Sequence, residues 1–172
     1  MNPRLLNGLG FLACCGLMGY ALYAEHVLGL EPCPLCVFQR LGVIGLGIVF
    51  AIAAVHAPRG GGRFAYAAGV ALTAGAGAAV AGRHVWLQNL PPDQVPACGA
   101  GLDFLMDTLP FTEVVREVLS GSGECATISW SFLGLSMPTW VLIAFAALGV
   151  GGIAANLLRP PAQQQRTAPA SG

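Results

Sequence analysis

The sequence predicts an all-α membrane protein: a bundle of four transmembrane helices with a short amphipathic surface helix in the second outer loop. Two observations predict this fold class. Hydrophobic residues make up 55% of the 172 positions and charged residues only 9%, which is far from the balance of an ordinary soluble domain. Four long apolar stretches also reach the roughly 20 residues that a helix needs to cross a bilayer. The chain has no basic run that would suggest nucleic acid as a partner.

The four predicted spans cover about residues 5–24, 37–55, 64–82 and 138–158. The third span is almost entirely Ala, Gly and Val, so it must pack through close contacts between small residues. The spans make residues 1–160 one membrane domain, and the Gln-, Pro- and Ala-rich tail 161–172 is predicted to be disordered. A cleaved signal peptide is the weaker interpretation of the first span, because its apolar stretch is too long and no small-x-small site follows.

The arginines orient the predicted bundle. Arg4, the loop 59–63 and the tail from Arg159 carry five of the eight arginines, and short arginine-bearing segments tend to stay in the cytoplasm. Both termini are therefore expected inside, with loops 25–36 and 83–137 outside. For a bacterial inner membrane the outside is the periplasm, where disulfides persist.

A surface helix is predicted within the long second loop. Phe111, Val114, Val115 and Val118 recur at helical spacing, and charged residues take the opposite face. Such a helix would lie in the membrane interface. The alternative is that it packs on its own loop.

Cys33 and Cys36 form a Cys-x-x-Cys motif just before the second span. Pro34 suits the first turn of a helix, which would place Cys33 at the N-cap, where free N–H groups and the helix dipole lower a thiol pKa. The pattern favours a redox-active pair over a static disulfide or half of a zinc site. A second Cys-x-x-Cys that would complete a zinc site is missing from the sequence, so no metal is predicted.

Arg40 shares a helix face with the two cysteines of the motif. A guanidinium at this depth is costly without a partner, and a thiolate or the developing oxyanion of a quinone would serve. The alternative is that Arg40 snorkels to lipid phosphate. His84, at the end of the third span, could hydrogen-bond a quinone carbonyl or pass a proton, and interfacial anchoring is the alternative.

Cys98 and Cys125 lie in the second outer loop, which is expected to be flexible. A structural disulfide between them is one interpretation in an oxidising compartment. The exposed context expected for Cys98 also suits attack by the thiol of another protein. Four cysteines allow three pairings, and the sequence does not choose among them. Cys14 and Cys15, inside the first span, are predicted to be buried and inert.

Three segments resemble the family of disulfide bond formation protein B (DsbB), found in the bacterial inner membrane. The first is residues 32–40, Pro-Cys-Pro-Leu-Cys-Val-Phe-Gln-Arg. The second is the lone Cys98 in the long loop. The third joins Gly-Glu-Cys at 123–125 to Trp-Ser-Phe-Leu-Gly-Leu-Ser-Met-Pro-Thr-Trp at 130–140. The order of these segments and the four spans match across nearly the whole chain.

The resemblance implies a thiol:quinone oxidoreductase that generates protein disulfides. A periplasmic thioredoxin-like thiol oxidase of DsbA type would attack a Cys98–Cys125 disulfide at Cys98. Electrons would then pass to Cys33 and Cys36, and a membrane quinone, ubiquinone or menaquinone, would accept them near Cys36.

The resemblance also implies that Arg40 and His84 bind the quinone. The competing hypothesis is a non-enzymatic membrane scaffold or small transporter with two structural disulfides. A transport path needs polar side chains inside the spans, and these spans hold few beyond Asn7, Thr73 and Asn156. The sequence therefore favours the oxidoreductase.

Overall fold

The computed structural model describes residues 3–57, 60–97, 99 and 102–157. Most of these residues are helical. In chain order the elements are α1 (Pro3–His26), α2 (Pro34–His56), α3 (Gly62–Gln88), α4 (Leu102–Thr108), α5 (Phe111–Ser120), α6 (Gly123–Ala126), β1 (Ser131–Phe132), β2 (Leu135–Ser136) and α7 (Met137–Leu157).

Four helices of the described chain, α1, α2, α3 and α7, are long and apolar enough to cross a membrane. Helix α1 packs on α2, α2 on α3 and α3 on α7, and α7 also contacts α1, which closes a four-helix bundle. Large apolar side chains such as Leu12, Leu72 and Val150 are exposed on its surface, as expected where lipid rather than water surrounds a protein. The predicted all-α, four-span fold is confirmed, and the protein is a multi-pass membrane protein.

Two helices extend past the predicted spans at the same end of the bundle. Helix α2 begins at Pro34 rather than Val37, and α3 continues to Gln88 rather than ending at Gly82. The predicted second loop, 83–137, therefore starts inside α3. The end of the bundle where α2 begins and α3 ends is called the cysteine end below.

Arg83 shows why α3 continues beyond the apolar stretch. Its guanidinium donates hydrogen bonds to the backbone oxygens of Leu119 and Ser120, at 3.2 and 2.8 Å. The same group lies 4.1 Å from the centre of the Trp86 ring, a cation–π contact. A charged side chain with these partners need not end a helix, because the neighbouring helix α5 supplies the acceptors.

Small residues let the helices of the bundle approach closely. A Cβ atom added at Gly77 would overlap the ring of Phe145, which is 2% exposed. A Cβ atom added at Gly152 would lie 2.6 Å from the ring of Phe50. The two glycines therefore leave the space that two buried aromatic rings occupy, and the predicted small-residue packing of the third span is confirmed at Gly77.

A pair of buried amides joins the first and last long helices. Asn7 Nδ2 donates to Asn156 Oδ1 at 3.3 Å, and Asn156 Nδ2 donates to Asn7 Oδ1 at 3.2 Å. Asn156 also donates to the backbone oxygen of Gly152 at 2.8 Å. Each amide thus satisfies the other where water is excluded, so this pair has a structural explanation and need not belong to a transport path.

The short helices α4, α5 and α6 lie at the cysteine end. Val114 and Val118 of α5 are 2% and 3% exposed. They belong to one apolar cluster with Leu35, Leu87 and Cys125. Helix α5 is amphipathic as predicted, and its apolar side packs on the ends of α2 and α3. Phe111, predicted to share that side, is the first residue of α5 and is 71% exposed outside the cluster.

A two-residue turn precedes the last long helix. Strands β1 and β2 pair antiparallel around Leu133 and Gly134, whose φ angles are 52° and 78°. Both residues are left-handed, as in the turn that matches the twist of a tight hairpin. Trp140 Nε1 donates to the backbone oxygen of Phe132 at 3.1 Å, which fixes the hairpin to α7. Hydropathy does not predict this hairpin, since two residues a side are too few to show alternation.

Candidate functional site

The first cysteine of the motif caps helix α2. Cys33 has extended backbone angles, φ −68° and ψ 161°, and its Sγ accepts a hydrogen bond from the backbone N–H of Cys36 at 3.4 Å. Pro34 stands in the first helical turn, where its missing N–H costs nothing. The N-cap position predicted for Cys33 is confirmed.

The cap brings the two thiols of the motif together. Cys33 Sγ and Cys36 Sγ lie 2.9 Å apart, and both side chains are half-buried. One turn of helix therefore presents two thiols close enough to form a disulfide once an acceptor takes their two electrons and two protons. Because the spacing puts residues i and i+3 on one helix face, this part of the site follows from the sequence alone.

His84 lies directly over the Cys33 thiol. Its ring is 3% exposed, and its Nε2 is 3.8 Å from Cys33 Sγ. The other ring nitrogen, Nδ1, lies 2.9 Å from Nε2 of Gln39, which is also buried. The amide of Gln39 donates to Nδ1, so the neutral imidazole carries its proton on Nε2, where it faces the thiol. A histidine that only anchors the chain in the membrane interface needs neither this burial nor these two contacts.

Cys125 completes the cluster from the opposite side. It lies in α6 and is 1% exposed, so the prediction that it sits on a flexible loop is wrong. The segment that carries Cys125 packs on the cysteine end of the bundle because the apolar side chains of α5 cover that end. The Sγ atoms of Cys33 and Cys125 and a ring nitrogen of His84 all lie within 4.8 Å of one another. A hydrogen bond with Cys33 and burial together raise the pKa of the Cys125 thiol well above its usual range.

Cys98 lies outside the described residues, but the chain on either side of it is close to α6. The backbone oxygen of Ala97 accepts a hydrogen bond from Gly123 N at 3.1 Å. A Cβ atom added at Gly99 would lie 3.1 Å from Ser122 Cβ. Ala97, Gly99 and Cys125 line a common cavity of about 350 Å³, called the loop cavity below. Both flanking residues are exposed.

A second cavity, also of about 350 Å³, is lined by Cys33 and Cys36 and is called the bundle cavity below. Most of its wall is apolar, contributed by residues such as Leu17, Met18, Val43, Trp140, Phe145 and Leu148. Its polar groups include Cys33, Cys36, Gln39, Arg40 and His84. An apolar pocket with a few convergent polar groups is the usual form of a small-molecule site.

Arg40 has a carboxylate partner that the sequence alone did not predict. Its guanidinium forms an ion pair with the carboxylate of Glu25 and donates to the backbone oxygen of Ala21 at 3.2 Å. Both partners are on α1, so Arg40 joins α1 to α2 beside the bundle cavity. A fixed carboxylate, rather than the thiolate expected from sequence, compensates the charge of Arg40 and orients its free N–H groups.

The two cysteines of the first span differ from each other. Cys14 is 3% exposed and packs in the bundle core, as predicted. Cys15 is exposed on the surface of α1, so its predicted burial is wrong. The next residue along a helix turns by about 100°, which moves Cys15 from the core to the lipid-facing side.

Comparison with known proteins decides the family. The family model described as Disulfide bond formation protein DsbB matches residues 3–155. The chain belongs to the DsbB family. A relative from Marinobacter nauticus, called Disulfide bond formation protein B, is 50% identical over 92% of this chain and 95% of its own length. Relatives of the same name from Acinetobacter baumannii and Xanthomonas campestris are 57% and 49% identical over 86% and 91% of this chain, and 87% and 94% of their own lengths.

Membership of the DsbB family confirms the resemblance that segments 32–40, 123–125 and 130–140 carry. Within this DsbB chain, two residues beside the cysteines had no predicted role. Gln39 is part of the segment 32–40, and Glu25 is an acidic residue at the end of the first span. A carboxylate and an arginine at adjacent ends of two spans were the available signal for the Glu25–Arg40 pair.

Proposed function

We propose that this protein is a thiol:quinone oxidoreductase of the bacterial inner membrane that reoxidises a periplasmic thioredoxin-like dithiol oxidase of DsbA type. Electrons pass through two cysteine pairs, Cys98–Cys125 and Cys33–Cys36, to a membrane quinone. The observation that carries this proposal is the contact of Cys33 and His84, which line the bundle cavity, with Cys125, which lines the loop cavity.

The arrangement supports a direction of electron flow. The loop cavity holds Cys125 and both neighbours of Cys98, and it is bordered by exposed chain that a protein partner can reach. The bundle cavity holds Cys33 and Cys36 among apolar side chains, which suits a lipid-soluble acceptor. Cys125 and Cys33 meet between the cavities, so a sulfur-to-sulfur path needs no exchange with solvent.

The first half of the reaction oxidises the partner. A thiolate of the partner attacks Cys98 Sγ, the Cys98–Cys125 bond breaks, and Cys125 leaves as a thiol. The second thiol of the partner then attacks the mixed disulfide, and the partner departs oxidised. Two electrons and two protons now reside on Cys98 and Cys125.

The second half transfers those electrons to the motif. Cys125 attacks Cys33 Sγ of the Cys33–Cys36 disulfide, and Cys36 leaves as a thiol. Cys98 then attacks Cys125, which restores the Cys98–Cys125 disulfide and frees Cys33. Cys36 gains a proton as it leaves, in place of the one that Cys125 loses on becoming the nucleophile. His84, whose Nε2–H faces the reacting sulfurs, donates a hydrogen bond to the thiolate that forms between these two steps.

The size of the bundle cavity and its largely apolar lining are those of a small-molecule site, which supports a quinone as its occupant. A bound quinone would accept two electrons and two protons from the Cys33–Cys36 dithiol and so restore that disulfide. Arg40, oriented by Glu25, supplies N–H donors and positive charge at the cavity wall, where charge on an acceptor oxygen would develop. His84 holds a proton at Nε2 over the same sulfur pair.

The cysteine end is proposed to face the periplasm and both termini the cytoplasm. Arg4 donates to the backbone oxygen of Val55, and Arg63 begins α3, so both lie at the opposite end of the bundle. Arginines in short loops favour the cytoplasmic side.

A membrane scaffold with two structural disulfides would not require a buried histidine over a thiol or a polar cluster beside an apolar cavity.

Quinone reduction by the purified protein in detergent, with a reduced thioredoxin-like partner as donor, tests the proposal. Cys33→Ser and Cys98→Ser should each abolish loss of quinone absorbance, and Cys14→Ser should leave it intact. A partner whose second thiol is replaced by serine should become trapped on Cys98. Full partner oxidation by the Cys98→Ser protein would contradict the two-pair relay.

A further inference from the structure

The cluster around Cys33 has the donors of a metal site as well as those of a relay. Two cysteine sulfurs and an imidazole nitrogen come from three separate elements, the cap of α2, helix α3 and helix α6. We propose that Cys33, His84 and Cys125 form a binding site for a thiophilic divalent cation, Zn²⁺ in the first instance, that exists only when the thiols are reduced.

The distances match the size of the ion. Tetrahedral zinc with bonds of about 2.3 Å to sulfur and about 2.0–2.1 Å to nitrogen separates two sulfurs by about 3.8 Å and a sulfur from a nitrogen by about 3.6 Å. Cys33 Sγ and His84 Nε2 are 3.8 Å apart, and each pair of the three donors is within 4.8 Å. Movements of less than about 1 Å would therefore bring all three to one ion.

The charge balance suits a buried position. His84 and Cys125 are 3% and 1% exposed, so a net charge there would be costly. Zn²⁺ replaces the thiol protons of Cys33 and Cys125, and two protons leave for solvent as two thiolates form. Two thiolates, one neutral imidazole and one divalent cation sum to zero charge, which removes that cost.

Gln39 can support the site through its amide. Its Nε2 lies 2.9 Å from His84 Nδ1, which leaves the proton on His84 Nε2. Metal binding needs that proton on Nδ1 instead, and a half-turn of the amide presents Oε1 of Gln39 as its acceptor. Metal-bound histidines in proteins usually have such an acceptor on the second nitrogen.

The site is controlled by the redox state of Cys33. In a Cys33–Cys36 disulfide, Cys33 carries no thiolate, so the oxidised protein lacks a ligand. In the fully reduced protein all three donors are free, and a bound ion would occupy the sulfur that exchange requires. An excess of thiophilic metal should therefore hold the protein in its reduced, inactive form.

Zinc binding to the fully reduced, metal-free protein in detergent tests this directly, by competition with a chromophoric chelator and with a phosphine as reductant. The reduced protein should bind Zn²⁺, and the air-oxidised protein should not. Loss of an outer-shell hydrogen bond costs about 10–100-fold in metal affinity. Cys125→Ser and His84→Gln each remove a ligand, so each should weaken the affinity for Zn²⁺ by more than that. Gln39→Leu should weaken it by about 10–100-fold, and Gln39→Glu should strengthen it.

Cys36→Ser and Cys14→Ser are the matched controls, and both should retain wild-type affinity. Wild-type affinity in both Cys125→Ser and His84→Gln would overturn the proposal. Loss of binding in Cys36→Ser with retention in Cys125→Ser would assign the ion to the Cys-x-x-Cys pair and overturn it as well. Helix content and melting temperature of each variant identify misfolding, and the Gln39 variants leave every ligand in place.

Discussion

The thiol sulfurs of Cys33 and Cys125 lie within 4.8 Å of each other, which joins the cap of α2 to the short helix α6. Cys125 is fully buried by the apolar side chains of α5 and the ends of α2 and α3. A buried thiol next to another thiol is poised for exchange with that neighbour rather than with solvent.

Alkylation of the Cys125 thiol should be slow at neutral pH, and its rate should keep rising as the pH increases. The hydrogen bond with Cys33 and burial raise the pKa of Cys125, so the protonated thiol predominates and the reactive thiolate grows as pH increases. The labelling rate of a free thiol, with a pKa of about 8.5, levels off at about pH 10. Alkylation of the reduced protein at a series of pH values, read by peptide mass spectrometry, measures this.

The Cys33→Ala variant provides the comparison for that titration, because alanine can form no hydrogen bond with Cys125. It removes the neighbouring thiol that contributes most to the raised pKa of Cys125, so its labelling curve should move to lower pH. A plateau by about pH 10 for Cys125 in the unmodified protein, as for a free thiol, would contradict the assignment.

Arg40→Ala should weaken the apparent affinity for quinone while both disulfides still form. Hydrogen bonds to charged groups contribute about 1.5–3 kcal/mol, which corresponds to a KM increase of roughly 10–100-fold. Arg40→Lys keeps the positive charge but loses the forked guanidinium that reaches Glu25 and Ala21 together. Its KM for quinone should therefore lie between those of the unmodified protein and Arg40→Ala. Steady-state quinone reduction measures all three proteins, and unchanged kinetics in Arg40→Ala would remove Arg40 from the quinone site.

Gly77→Ala should destabilise the bundle. The added Cβ would overlap the buried ring of Phe145, and overpacking of this kind costs about 1–3 kcal/mol. Gly75→Ala is the matched control in the same helix, because a Cβ there meets nothing within 4 Å. Unfolding of both proteins in mixed detergent micelles should show a loss for Gly77→Ala and none for Gly75→Ala. Equal stability would mean that Phe145 does not fill the space beside Gly77.

Hydropathy was sufficient to predict the four long helices, because each is one long apolar run. Motif spacing was also sufficient for Cys33 and Cys36, since both lie within one helical turn. The predicted third span ended at Gly82 because Arg83 and His84 are polar, and their partners lie elsewhere in the chain. Local sequence does not show that α5 supplies hydrogen-bond acceptors to Arg83 or that other side chains bury His84.

The rest of the candidate site depends on tertiary contacts. Cys125 reaches Cys33 only through the folding of α4, α5 and α6 over the bundle. The periodicity of α5 predicts a helix, but it does not predict which part of the bundle the apolar side of that helix covers. The pairing of Arg40 with Glu25 joins two helices, so neither residue's neighbours in sequence reveal it. Gln39 lies within the segment that resembles the family, but its contact with His84 depends on α3, which carries His84 to the same end of the bundle.

Disulfide mapping of the Cys36→Ser protein tests the central claim, exchange between Cys33 and Cys125, most directly. Without Cys36, the free Cys33 thiol should attack the Cys98–Cys125 disulfide and remain joined to Cys125, which frees Cys98. Acid-quenched alkylation, digestion and non-reducing mass spectrometry should then identify a peptide pair that contains Cys33 and Cys125. An intact Cys98–Cys125 disulfide with Cys33 alkylated as a free thiol would contradict the account.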